Sequence, residues 1–177
     1  MKIYLVGLPG VGKTYIGNQL AKELNIKFID LDDTIEQKSK LRIPEIFANF
    51  GQDIFREIEA RELALLTNNS SEFVLATGGG APCFHNNITK LISSGLVIWI
   101  KAIIPNILER IENDHLNKRP LFNNTNAYNI KNKLQQMYKQ RIQYYQQAQI
   151  HYDADNNSIT NLIMDIKQWK LTSSKRF

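Results

Sequence analysis

The stretch Gly7-Leu8-Pro9-Gly10-Val11-Gly12-Lys13-Thr14 constrains this chain more than any other. It has two glycines separated by four residues, followed by Lys and Thr. It lies between an apolar run, Ile3-Tyr4-Leu5-Val6, and residues at helical spacing, Ile16, Leu20, Ala21 and Leu24. A buried strand that runs through a glycine loop into a helix builds a phosphate cradle. The glycines let the backbone curl so that successive N–H groups point at phosphate oxygens, and the helix adds its positive end. Lys13 brings a charge to the β and γ phosphates. The Thr14 hydroxyl is the expected protein ligand of Mg²⁺, a hard ion that otherwise keeps water and phosphate oxygens. A tight glycine turn that binds nothing is the alternative, and the Lys-Thr pair with its flanks argues against it. The motif leaves open whether the nucleotide is hydrolysed or gives its phosphate to an acceptor.

Asn25 marks the end of the first helix, and Lys27 to Asp30 reads as the next strand. Further apolar runs at Phe73–Ala76, Leu96–Ile100 and Ile150–Tyr152 alternate with helix-patterned sequence. The spacing predicts an α/β fold: a three-layer P-loop NTPase architecture with a central five-stranded parallel sheet, helices on both faces and ligand loops at the carboxyl ends of the strands. Two stretches break the alternation. Ile43–Leu66 is helix-patterned with Gly51 between two apolar-periodic segments, and Asn113–Asn126 is polar and reads as a mobile lid. No internal repeat is present, and residues 1–177 are expected to form one domain.

Hydrophobic residues at 43% and charged residues at 22% exclude a disordered chain. The net charge of +5 is spread without a basic block, which suits small anionic substrates and argues against a nucleic-acid partner. Lys170, Lys175 and Arg176 read as a solvated tail. A single cysteine, Cys83, precludes an intramolecular disulfide, and Lys2–Val6 leads straight into the glycine loop, so a cytoplasmic protein without a secretory leader is expected. Apolar runs fall well short of the ~20 residues of a membrane span. His85, His115 and His151 lack metal-ligand spacing with one another or with Cys83.

Asp30 and Asp32 close the second strand two residues apart and suit a metal and a substrate hydroxyl. One would approach Mg²⁺ through water, while the other orients an alcohol for attack. Asp33 is expected instead to cap a helix beginning near Thr34. Arg56 and Glu59 share a helix face, an arrangement most often found as surface decoration. Gly78-Gly79-Gly80 after the third strand suggests close approach of a substrate to the main chain, with a flexible hinge as the alternative. Arg119, in the polar loop beyond Arg110, is placed to close over a transferring phosphate. Arg141, on a helix from about Ala127 to Gln147, would suit a substrate carboxylate.

Taken together, Gly7–Thr14, Asp30-x-Asp32, Phe55-Arg56-x-x-Glu59, Gly78–Gly80, Arg119-Pro120-Leu121 and Arg141 follow the order and spacing of the shikimate kinase family. The chain resembles that family over roughly residues 2–155. The resemblance implies ATP-dependent phosphorylation of the 3-hydroxyl of shikimate, on the route to chorismate and aromatic amino acids, by a monomer. It implies Lys13, Asp32 and Arg119 as catalytic residues, with Asp32 as the base. ATP would be held by Gly10, Val11, Gly12, Lys13, Thr14, Arg110 and Arg119, with Arg110 stacking on adenine. Shikimate would be held by Asp32, Arg56, Gly78, Gly79, Gly80 and Arg141, within a helical region of about residues 33–66. Mg²⁺ would be held by Thr14 and, through water, Asp30, and Glu59 would orient Arg56.

The chain departs from the family at Tyr15, where a small hydroxyl residue is usual, and at Pro82-Cys83, where aliphatic residues are. Asp155-Asn156-Asn157 replaces a basic, proline-containing adenine loop. A gluconate kinase-like enzyme would keep the phosphate loop but need a different acceptor pocket, and two cleft arginines argue against a neutral acceptor. A catalytically silent nucleotide-binding module is the third reading, opposed by Lys13, Asp32 and Arg119.

Overall fold

A short run that is apolar throughout has no face to leave in water, so it becomes a strand only where both sides are covered. In the computed structural model, which describes residues 1–113 and 127–173, the runs of this chain do so. Strands β1 (Lys2–Val6), β2 (Lys27–Asp30), β3 (Phe73–Ala76), β4 (Leu96–Lys101) and β5 (Ile150–Asp153) pair in parallel in the order β2-β3-β1-β4-β5. The three central strands carry the dry core, with Leu5, Leu75 and Ile98 fully buried. The edge strands β2 and β5 are the more polar ones.

The β1-to-β2 connection runs across the sheet in the opposite sense from the later ones. Right-handed crossovers therefore put helix α1 (Lys13–Leu24) on one face and the intervening helices of the later crossovers on the other. The last helix, α7 (Ile159–Ser173), packs beside α1, and α3 (Ile43–Asn68) packs beside α4 (Asn87–Ser94). Helices α5 (Ile104–Asn113) and α6 (Ala127–Tyr145) pack on each other. The expected three layers and five strands are present. No helix among the described residues is long and apolar enough to cross a membrane.

Local signals act as their chemistry dictates. Asn25 ends α1 in the left-handed conformation, and α3 bends at Gly51 (φ 79°, ψ 177°), between its two apolar segments. Helix α2 (Leu31–Ser39) corrects one expectation. It begins at Leu31 rather than near Thr34, and its cap is Asp30, whose side chain accepts from the Asp32 N–H. Asp33 lies inside the first turn, where a carboxylate favours the helix dipole. The expected lid at 113–126 begins where α5 ends. Residues 114–126, with Arg119 and His115, and the tail residues Lys175 and Arg176 lie outside the described residues.

Candidate active site

The carboxyl ends of β1, β2 and β3 open onto one cleft. After β1 the chain turns through Gly10 (φ 83°) and Gly12 (φ 101°), conformations that residues with a Cβ rarely adopt. Gly12 is the N-cap of α1, and no side chain caps that end, so its first N–H groups are left to an anion. Lys13 Nζ donates to the carbonyls of Gly7 (3.0 Å) and Leu8 (2.9 Å), at the lip of the loop.

Asp30 joins this loop to the next helix. Its Oδ2 accepts from Thr14 Oγ1 at 2.9 Å while Oδ1 caps α2 through the Asp32 N–H at 3.0 Å. The cap aims Asp32 into the cleft from the first turn of α2. Burial and the neighbouring Asp30 and Glu59 carboxylates push the Asp32 pKa up to about 7, against the opposing pull of Lys13 and Arg56. This carboxyl therefore exchanges its proton near neutrality.

Arg56 and Glu59 are not surface decoration. The Arg56 side chain is 11% exposed and that of Glu59 is 1% exposed, and Arg56 Nη1 donates to Glu59 Oε2 at 2.5 Å. Burial pushes the Glu59 pKa upward, while Arg56, Arg141 and His85 draw it down. The Arg56 guanidinium lies over the rings of Phe84 (4.5 Å) and Phe55 (5.0 Å), and its Nε finds no acceptor in the protein. A buried donor left over on a fixed guanidinium fits an incoming carboxylate.

The triple glycine makes room for these side chains. A Cβ at Gly78 would meet Asp32 Oδ1 and Glu59 Oε1, each at 2.9 Å. One at Gly79 would meet Pro9 Cδ at 2.9 Å and Arg141 Nη1 at 3.2 Å, and one at Gly80 would meet Arg56 Nη2 at 2.5 Å. Sequence reasoning looked for a substrate pressed against bare backbone. The protein groups nearest these glycines are Asp32, Glu59, Pro9 and both arginines, drawn together around one loop. Thr77 anchors that loop, its N–H and Oγ1 both donating to the Leu5 carbonyl of β1. Cys83, one turn further on, is a half-buried thiol whose pKa burial pushes up to about 11, so it stays protonated.

On the other side of the phosphate loop, a cavity of 510 Å³ is lined by Gly12, Tyr15, Arg110, Tyr152 and Asn157, among others. Arg110 is pinned there. Its Nη1 donates to the Val11 carbonyl (3.1 Å) and its Nη2 to Asp155 Oδ1 (2.7 Å), while Asp155 Oδ2 accepts from the Ile103 N–H (2.7 Å). The acidic loop that departs from the family pattern thus holds the arginine from behind. Tyr15, 69% exposed, stands at the rim.

The cleft therefore brings together Lys13, Thr14, Asp30, Asp32, Arg56, Arg141 and Gly78–Gly80, with Gly10, Val11, Gly12 and Arg110 around the adjoining cavity. Arg119 lies outside the described residues. Sequence reasoning missed Phe84 under Arg56 and the tether from Asp155 to Arg110. It also missed Tyr145, whose hydroxyl donates to the Gly79 carbonyl at 2.5 Å. The one local signal for Tyr145 was its position one helical turn after Arg141.

The family model described as shikimate kinase matches residues 9–169. A shikimate kinase from Sulfurihydrogenibium sp. (strain YO3AOP1) is 34% identical over 174 residues, 98% of each chain. One from Azobacteroides pseudotrichonymphae genomovar. CFP2 is 34% identical over 93% of this chain and 96% of its own. The crystal structure of shikimate kinase from Bacteroides thetaiotaomicron superposes with a TM-score of 0.87 at 28% identity, covering 96% of this chain and 97% of that one. Shikimate kinase from Acinetobacter baumannii, solved in complex with shikimate, gives 0.82 at 34% identity, covering 97% and 93%. Sequence similarity at this level over nearly the full length, on the same fold, shows that the chain belongs to the shikimate kinase family.

Proposed function

We propose that the protein transfers the γ-phosphoryl group of ATP to the 3-hydroxyl of shikimate, giving shikimate 3-phosphate and ADP. The observation that carries this reading is the convergence of two guanidinium groups, Arg56 and Arg141, with the Asp32 carboxyl on the Gly78–Gly80 loop, beside an uncapped phosphate loop. Shikimate is a carboxylate with three hydroxyls. Its carboxylate would lie between the arginines, and Asp32 would face the ring hydroxyls.

In the transfer, the 3-oxygen bonds to the γ-phosphorus as the bond from that phosphorus to its bridging oxygen breaks, leaving the electron pair on ADP. The hydroxyl proton passes to the ionised Asp32 carboxylate. Transfer of this kind depends chiefly on alignment and charge neutralisation. Lys13, which now donates to the Gly7 and Leu8 carbonyls, would turn to the phosphates, and Arg119 would close over them. Arg110 would support the adenine ring. The donor set fits Mg²⁺. Thr14 Oγ1 and Asp30 Oδ2 lie side by side at 2.9 Å, and no cluster of three or more His, Cys, Asp or Glu among the described residues forms a metal cage. An ion held by one hydroxyl, one carboxylate through water and the nucleotide itself needs no such cage. When bound, it would neutralise phosphate charge. We further propose that the protein acts as a cytoplasmic monomer.

Arg56→Ala and Arg141→Ala should each raise the KM for shikimate about 10- to 100-fold, the usual worth of a charge-assisted hydrogen-bonded pair, and leave the KM for ATP near its starting value. Steady-state kinetics with each substrate varied in turn checks this. Unchanged shikimate KM in both variants would remove the clamp. A panel of acceptors at fixed ATP tests the reading itself: shikimate should be preferred, and a preference for gluconate or a nucleoside monophosphate would reject it.

A further inference from the structure

Arg141 of the clamp and the glycine loop sit on different elements, α6 and the end of β3, and one side chain with no part in the reaction above ties them together. Tyr145, the last residue of α6, is 0% exposed and packs beside Trp99 of β4 with ring centroids 6.0 Å apart. In the glycine loop, the Gly78 carbonyl accepts from the Ala81 N–H and the Gly80 carbonyl from the Cys83 N–H. The carbonyl between them, that of Gly79, is taken by the Tyr145 hydroxyl at 2.5 Å.

A phenol has one proton, and a carbonyl can only accept. The Tyr145 O–H must therefore point at Gly79, which leaves its lone pairs for a donor. Arg141, one helical turn earlier, brings its positive charge toward the same hydroxyl and sets its Nη1 against Gly79. Burial raises the Tyr145 pKa well above the ordinary phenol range, so the proton stays in place at any working pH. The direction of this hydrogen bond is thus forced, from the Tyr145 hydroxyl to the Gly79 carbonyl. Gly79 is at the same time wedged between Pro9 of the phosphate loop and Arg141.

We propose that Tyr145 is a positioning residue for shikimate, its hydroxyl holding Arg141 and the Gly79 peptide in the mutual geometry that receives the substrate carboxylate. The inference deepens the functional reading above and rests on it. A guanidinium already confined by a fixed peptide on one side loses less rotamer freedom when it grips a carboxylate on the other.

Tyr145→Phe keeps the ring against Trp99 and deletes only the hydroxyl. It should raise the KM for shikimate about 5- to 30-fold, the range expected for losing one hydrogen bond of this kind, and leave the KM for ATP unaltered. In an Arg141→Ala background the same substitution should add little, because the group it positions is gone. An unchanged shikimate KM, a parallel rise in both KM values, or the same fold-loss with and without Arg141 would each overturn the proposal. A second measurement needs no variant. In NMR spectra of the wild-type protein, the slowly exchanging phenolic proton of Tyr145, identified through its proximity to Trp99, should shift on saturation with shikimate and stay put with ADP alone. No shift with shikimate would overturn the proposal even if Tyr145→Phe failed to fold. Wild-type enzyme assayed alongside separates the two readings. Absence of shikimate-dependent ADP release from it rejects the functional assignment, whereas normal release with an unaltered Tyr145→Phe KM rejects only the role of Tyr145.

Discussion

Asp32→Asn should lower turnover by about 10²- to 10⁴-fold, the range for loss of a positioned base, and at the same time make the protein more stable above pH 7. The two effects share one cause. In the unfolded chain this carboxyl titrates near its ordinary value of 3.8, whereas in the folded protein burial and the facing Asp30 and Glu59 carboxylates hold its pKa at about 7. Between those values the folded state keeps a proton that the unfolded state has released. The resulting stability is fully present below about pH 4 and is lost as pH rises through 7. At pH 8 the wild-type protein carries an ionised carboxylate in a crowded acidic setting, and the amide removes it. Holding a proton across one pH unit is worth about 1.4 kcal/mol, so the relief is at most roughly 4 kcal/mol. Denaturant unfolding at pH 5.5 and 8.5 should show the wild type losing stability across the interval and the variant losing less. Glu59, shifted in the same direction, keeps a residual slope in both. A variant less stable than wild type at pH 8.5 would contradict the electrostatic crowding described for Asp32. The same titration should appear in kinetics, with kcat/KM for shikimate rising through an acid limb near pH 7 as Asp32 ionises.

Gly80→Ala should weaken shikimate binding about as much as deleting Arg56, by roughly 10- to 100-fold, in a protein that still folds and still binds ATP. Gly80 has φ −91° and ψ −20°, a conformation open to any residue, so alanine brings no backbone strain. The added methyl, however, would stand 2.5 Å from Arg56 Nη2 and 2.9 Å from its Cζ. The guanidinium must leave its place between Glu59 and the Phe84 ring, and it takes half of the carboxylate clamp with it. Calorimetric titration with shikimate, alongside thermal denaturation as a check on folding, distinguishes this from general damage. Wild-type shikimate affinity in Gly80→Ala would mean that the position of Arg56 is not what sets binding.

Local chemistry made much of this readable in advance. Lys27–Asp30 and Phe73–Ala76 are strands at the bounds their composition predicts, because a short apolar run with polar flanks has few other ways to bury itself. Gly7–Thr14 is a phosphate loop in sequence and in space, since its geometry is set by the residues within it. The misplaced start of α2 has a long-range cause: Asp30 caps the helix with one oxygen while its other oxygen is held by Thr14, 16 residues earlier. Arg56 and Glu59 looked like an ordinary helix pair because spacing reveals the shared face but not what that face meets. The hydroxyl of Tyr145 reaches a carbonyl 66 residues away, and the tether from Asp155 to Arg110 spans 45. Periodicity carries no trace of such contacts, which exist only once parallel strands bring the loop ends side by side.

Shikimate phosphorylation is tested most directly by coupled ADP release from the purified protein with Mg²⁺ and ATP, with and without shikimate. Release should rise and saturate with shikimate. Intact ATP binding with no stimulation by shikimate would contradict the assignment.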